Sequence, residues 1–110
     1  MPNLTVLTIV ATECPADVED KFNEWYNEVH IPMLLKHKAL KKSSRYRLAG
    51  EAPDRARYLA FYEFESEQDH KDFEASPEFA AAIQEIQETW KEGLEIKWSA
   101  NYGLIKAWEK

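Results

Sequence analysis

Apolar residues recur along this chain in two rhythms. Between Asn3 and Ala11 they fall on both parities, with Leu4, Val6 and Val10 on one side and Leu7 and Ile9 on the other. A β-branched run of this kind predicts a strand that is covered on both faces. Glu13–Ala16 reads as a turn, and from Asp17 to His30 the rhythm changes. Val18, Phe22, Trp25 and Val29 stand at i, i+4, i+7 and i+11, which predicts a helix with one apolar stripe. Pro32 disfavours helical geometry at Ile31, so the helix is expected to end or bend there, with "MLLKHKAL" supplying one further turn.

The second half repeats the order. Leu40–Gly50 alternates weakly and predicts a strand with a polar, basic face, and "GEAPDR" is the turn that follows. Arg57–Glu65 ("RYLAFYEFE") predicts a strong strand, with Leu59 and Phe61 on one parity and Tyr58, Tyr62 and Phe64 on the other. Ser66 with Asp69 is close to a capping box and predicts a short helix. Ser76-Pro77 restarts it, proline being suited to the first helical position. Phe79, Ile83, Ile86 and Trp90 then repeat the spacing of the first stripe. Glu95–Trp108 carries the last strand, bent or interrupted near Gly103. The order β-α-β-β-α-β predicts an α+β, ferredoxin-like sandwich: one domain over residues 1–110, a four-stranded antiparallel sheet with two helices on one face.

Two helices cover one face only, yet the first and third strands keep large apolar groups on both. An open sheet face of that character is a large exposed patch, which monomers rarely tolerate. A second copy packing sheet against sheet with two-fold symmetry is the economical solution, so a homodimer through the sheet face is expected. The alternative is a shallow patch whose tyrosine hydroxyls stay wet.

Composition narrows the partners. The chain has 110 residues and a formal charge of -6, which argues against general attraction to nucleic acid or an anionic membrane. Lys36, Lys38, Lys41, Lys42, Arg45 and Arg47 form a local basic patch, read either as an edge strand guarded by lysines or as a gate for an anionic small molecule. The single cysteine, Cys14, permits no intramolecular disulfide and fits a reducing compartment, so a cytoplasmic location is expected. "LTVLTIVA" is too short to span a bilayer and lacks a basic flank, so it reads as neither signal peptide nor anchor.

Tyr26 sits on the flank of the first stripe and His30 one turn later on the same edge, close enough to touch. At the point where the backbone leaves helical geometry the ring can be aimed into a crevice, where a neutral imidazole takes or gives a proton near pH 7. The plainer reading of His30 is a residue that stabilises the helix C-terminus through the dipole. Tyr26 has its own plain reading as a packing aromatic. Arg45 and Arg47 share one face of the second strand and, with Tyr46, would suit a carboxylate or phenolate, or simply face water. Glu63 either meets an apolar face as a carboxyl with a raised pKa or pairs with an edge arginine. Trp25, Tyr62, Trp90 and Trp98 are candidates for an aromatic pocket or for the core. His30, His37 and His70 lack metal-ligand spacing, and a haem ligand role for His30 or His70 is the residual metal reading. No glycine-rich phosphate loop and no nucleophile elbow occurs. The aromatic third strand lacks the basic and glycine positions of an RNA-binding sheet.

The stretch "FNEWYNEVHIPMLL", followed by "RYRL" and by "YLAFYEFES", resembles the dimeric α/β-barrel proteins and within them the EthD-like group. The resemblance covers essentially the whole chain at the level of fold, and rests on one segment at the level of motif. It implies a scaffold that hosts cofactor-independent oxygenases, isomerases, cyclases, decarboxylases and haem enzymes, and it implies His30 as an acid/base residue. Two functions follow. In the first, the protein is an enzyme without cofactor or metal that acts on a small hydrophobic or aromatic compound by decarboxylation, dehydration or isomerisation, oxygenation being the less favoured member. His30 is then the acid/base, Tyr26 or Tyr46 its hydrogen-bonding helper, and Arg45 or Arg47 the anion anchor. In the second, the protein is a dimeric binding or structural protein with no turnover.

Overall fold

The structure, a computed structural model, describes residues 5–91 and 93–110. The expected strand start at Asn3 and Leu4 lies outside these residues. Strand β1 (Val6–Glu13) leads through a 3-10 turn (Ala16–Val18) into α1 (Glu19–Trp25), a π turn (Tyr26–His30) and α2 (Ile31–Leu35). Strands β2 (Leu40–Arg47) and β3 (Tyr58–Phe64), helices α3 (Glu67–Glu74) and α4 (Pro77–Thr89), and strand β4 (Glu95–Gly103) complete the order. The sheet is antiparallel throughout, in the order β2-β3-β1-β4, so β2 and β4 are its edges.

Register sorts the side chains. Val6, Thr8, Val10 and Thr12 pair with Phe64, Tyr62, Ala60 and Tyr58, which places all eight on the face that the helices cover. Tyr58, Ala60, Tyr62 and Phe64 are all buried there and form the core with Phe22, Trp25, Tyr26 and Leu34. The other face carries Leu7, Ile9, Leu59, Phe61, Trp98 and Tyr102, and among the described residues no helix covers it. Trp98 and Tyr102 are 44% and 53% exposed on it.

Serine caps start the short helices as the sequence predicts. Ser66 Oγ accepts from the Asp69 amide at 3.0 Å, and Ser76 Oγ accepts from the Phe79 amide at 3.1 Å while donating to the Phe73 carbonyl. Two expectations need correction. The last strand stops at Gly103, not Trp108: β4 is an edge whose one neighbour is β1, so pairing ends where β1 begins. Leu104 still donates to the Thr5 carbonyl at 2.8 Å, after which Ile105 and Trp108 stand in solvent.

The second correction concerns Pro32, which does not end the first helix. Ile31 keeps helical angles (φ −61°, ψ −45°) and its amide donates to the Tyr26 carbonyl five residues back, the signature of a π turn. Proline has no N–H to give and crowds the preceding turn, so the wider turn accommodates it and the helix continues. Among the described residues no helix is long and apolar enough to cross a membrane.

Candidate functional site

The π turn decides which side chains reach the sheet. Residues spaced by four run about 40° ahead per step on a regular helix. Here Phe22, Tyr26, His30 and Leu34 are nevertheless all buried, because the wide turn takes up the drift. Val29, the fourth member of the predicted stripe, is displaced to 37% exposure, and His30 is only 6% exposed. His30 is therefore inside a continuous helix and not at its C-terminus, so the dipole reading loses its geometric basis.

The ring of His30 lies flat against Trp25 (5.0 Å between centroids, 20° between planes) and edge-on to Tyr26 (5.0 Å, 84°). Trp25 is pinned in turn, its Nε1 donating to both carboxylate oxygens of Glu85 on α4 at 2.8 and 3.1 Å. Tyr26 and Tyr62 bring their hydroxyl oxygens to 3.2 Å. His30 Nδ1 is buried and, among the described residues, without a hydrogen-bond partner. Buried polar atoms are rarely left so, and the ring that carries this one also lines a cavity.

That cavity holds about 240 Å³ between the sheet and the helices. Thr8, Val10, Thr12, Ser99 and Asn101 form its floor, and Phe79, Ile83 and Ile86 of α4 form its roof. Trp25, Tyr26, His30 and Leu34 line one wall, and His70, Phe73 and Glu74 another. The partial exposure of the α4 stripe is explained by this space: its side chains face a hollow and not a packed core.

Burial sets the charge states. Desolvation depresses the His30 pKa from 6.5 to about 4; the Glu85 carboxylate pulls it upward and Arg45 adds to the depression. His30 is thus a neutral imidazole at pH 7. Burial also raises the Tyr26 phenol, opposed by its bond to Tyr62 and by Arg45, and pushes Tyr62 well above the usual phenol range. Both remain protonated and able to donate. Among the described residues no group of three His, Cys, Asp or Glu side chains is placed to hold a metal ion.

Residues 5–96 match the family described as the domain of unknown function DUF4286. The chain belongs to the DUF4286 family. HapK from Hahella chejuensis superposes with a TM-score of 0.71 at 12% identity, over 96% of this chain and 98% of that one. An ethyl tert-butyl ether degradation (EthD) family protein from Bacillus halodurans gives 0.66 at 17% identity, over 88% and 96%. A dimeric ferredoxin-like protein of unknown function from Thermobifida fusca gives 0.60 at 16%, over 93% and 92%. No curated protein matches by sequence. At these identities the likeness establishes the fold, and it agrees with the EthD-like resemblance of the "FNEWYNEVHIPMLL" segment.

In this DUF4286 chain the residues singled out from sequence divide between three places. His30, Tyr26, Trp25 and Tyr62 line the cavity together. Arg45 lies behind them and not in the cavity. Its guanidinium stacks 4.2 Å from the Tyr26 ring centre and donates to Asn23 Oδ1 (2.9 Å) and Asn27 Oδ1 (2.7 Å). It holds the π turn against β2. Arg47, on the same face, lies by Tyr58 in a separate surface hollow with Glu13, Glu19 and Arg57. Tyr46, Glu63 and Trp98 sit on the opposite face of the sheet, in register with Leu59, Leu7 and Ala11, and are not brought to His30. The reason is parity: the bulge at Lys41 sets Arg45 inward and its neighbour Tyr46 outward. Trp90 packs against Trp25 and Phe22. The sequence offers His70 only as a residual haem ligand and does not mark Glu85 at all. Each reaches the site through tertiary packing, and neither has a local sequence signal.

Proposed function

We propose that this protein binds a small hydrophobic or aromatic compound in the 240 Å³ cavity and acts on it by proton transfer at His30. The observation that carries the reading is the buried His30 ring whose Nδ1 has no partner in the wall of that cavity. A base held at about 4 is weak in the empty site. It becomes effective when the proton it takes leaves an enolate or phenolate beside it, because an adjacent anion favours the imidazolium. Within the Tyr26–Tyr62 pair one phenol donates to the other, and the remaining O–H donates a hydrogen bond to that anion; return of the proton to a different ligand atom completes an isomerisation or primes a dehydration. Decarboxylation fits the same arrangement: His30 takes the proton of the ligand's carboxylic acid, carbon dioxide leaves, and the imidazolium returns that proton to the carbanion.

The homodimer through the outer sheet face belongs to this reading. Leu7, Ile9, Leu59, Phe61, Trp98 and Tyr102 form one apolar layer there. Each such side chain contributes roughly 1.5–3 kcal/mol when fully buried. Sedimentation at micromolar concentration checks the dimer.

The depressed His30 pKa also favours a second reading, a binding protein with no turnover. A panel of phenolic acids, hydroxyketones and lactones followed by mass spectrometry separates the two. Turnover that His30→Ala lowers by about 10²-fold or more supports the enzyme. Turnover unchanged in His30→Ala removes the mechanism, and binding without turnover favours the second reading.

A further inference from the structure

The cavity has a second imidazole in its wall. His70 of α3 is 9% exposed and stands edge-on to Phe64, with ring centroids 5.1 Å apart. Its Nε2 is 3.6 Å from Glu74 Oε2, one turn later. That is within ion-pair reach and outside hydrogen-bond range, which leaves Nε2 able to bond a ligand group. An i, i+4 pair on a solvated helix face needs neither partner buried. Here the two differ: the His70 side chain is 11% exposed and that of Glu74 is 51% exposed. The imidazole has been turned into the cavity, where it loses hydration unless something replaces it.

Polar groups stand beside it in the cavity lining. Thr8 and Asn101 line the same space, the threonine hydroxyl donating to Asn101 Oδ1 at 2.7 Å. His70 and Asn101 also line an adjoining surface hollow with Lys71 and Tyr102. His70 thus stands between the interior and the outside, on a different element from His30.

We propose that His70 is a second polar contact for the ligand, so that the ligand is a flat apolar compound carrying hydrogen-bonding oxygens at two separated places. This deepens the small-molecule reading of the cavity and rests on it. A site of 240 Å³ lies below the roughly 300–1,000 Å³ of pockets for drug-sized ligands, which points to compounds of about two fused rings. A ligand with one oxygen leaves one imidazole unpaired and is discriminated against on that ground.

Calorimetry with two probes, 2,6-dihydroxynaphthalene and 2-naphthol, tests the proposal on the full chain. The diol is expected to bind about tenfold tighter, the effect of one well-made hydrogen bond. His70→Phe lowers diol affinity to that of 2-naphthol, whereas His70→Gln, which keeps a donor and an acceptor, retains most of the preference. Nitrogen-15 spectra of the imidazoles add a readout that a merely structural role would not move: the diol shifts the His70 ring nitrogens and 2-naphthol does not. Equal binding of the two probes, or a preference that survives in His70→Phe, overturns the proposal and leaves the cavity reading standing. Failure of both probes to bind overturns the cavity reading and this proposal with it.

Discussion

Phe22 and Ile83 hold the same place in two stripes of identical spacing, Val18-Phe22-Trp25-Val29 and Phe79-Ile83-Ile86-Trp90. Phe22 is 0% exposed and Ile83 is 37% exposed. The first helix widens at Tyr26–His30, abandons Val29, and packs the line Phe22, Tyr26, His30 and Leu34 onto β3. Helix α4 stays regular and stands over β1 and β4, with the cavity beneath Phe79, Ile83 and Ile86. The tight half fixes the reactive side chains, and the loose half leaves room for something to meet them. A pair of equally well packed halves would have had a core in place of a site.

That contrast breaks most easily at its two matching positions. Phe22→Ala is expected to cost about 3–5 kcal/mol of stability, the range for emptying an aromatic core site. Ile83→Ala is expected to cost about 1 kcal/mol, since the isoleucine already faces space and part of its area is never buried. Urea denaturation of both variants measures the difference, and equal costs would contradict the asymmetry.

Acid probes the tight half next. His30 has a folded pKa of about 4 against 6.5 in the unfolded chain, so folding favours its neutral form. The associated stability is present in full above pH 6.5 and is lost as pH falls from there toward 4. The gap corresponds to roughly 3 kcal/mol. Urea midpoints between pH 7 and 4 should fall accordingly, and His30→Leu should flatten that part of the profile. An unchanged profile in His30→Leu would assign the acid sensitivity to other groups.

Pro32→Ala should change stability least, by under about 1 kcal/mol, because it restores an N–H while releasing the constraint on the wide turn. Its effect belongs to geometry: the turn relaxes toward regular helix and the Tyr26–His30 pair rotates away from the cavity. Loss of any bound aromatic probe with the fold intact would sharpen the link between the proline and the site.

Much of this architecture was legible in the residues. The β3 alternation separated Tyr58, Tyr62 and Phe64 from Leu59 and Phe61, and the serine caps at Ser66 and Ser76 stand where the pattern put them. The π turn was hidden because a search at 3.6 residues per turn favours Val29 over His30. The sign was the spacing of four through Phe22, Tyr26, His30 and Leu34, read across a proline. The shared face of Arg45 and Arg47 followed from their spacing, but which face it was depended on a bulge at Lys41 that leaves no local mark. His70 lacks metal-ligand spacing and carries only the residual haem reading in the sequence, whereas its place in the cavity arises from how α3 packs on Phe64. The low pKa of His30 is likewise a property of its burial against Trp25 and Tyr26, with Arg45 adding to it and Glu85 opposing it, and no pairwise spacing encodes it.

The account turns on one imidazole kept neutral by its surroundings and set in the wall of the cavity. A histidine NMR titration of the ligand-free protein tests this directly by following the His30 ring from pH 8 down to 4. The structure predicts that the ring stays uncharged through neutrality and begins to protonate only near the acid end, about pH 4. A midpoint close to 6.5 would place His30 in water, and the cavity would lose the residue on which the proposed chemistry depends.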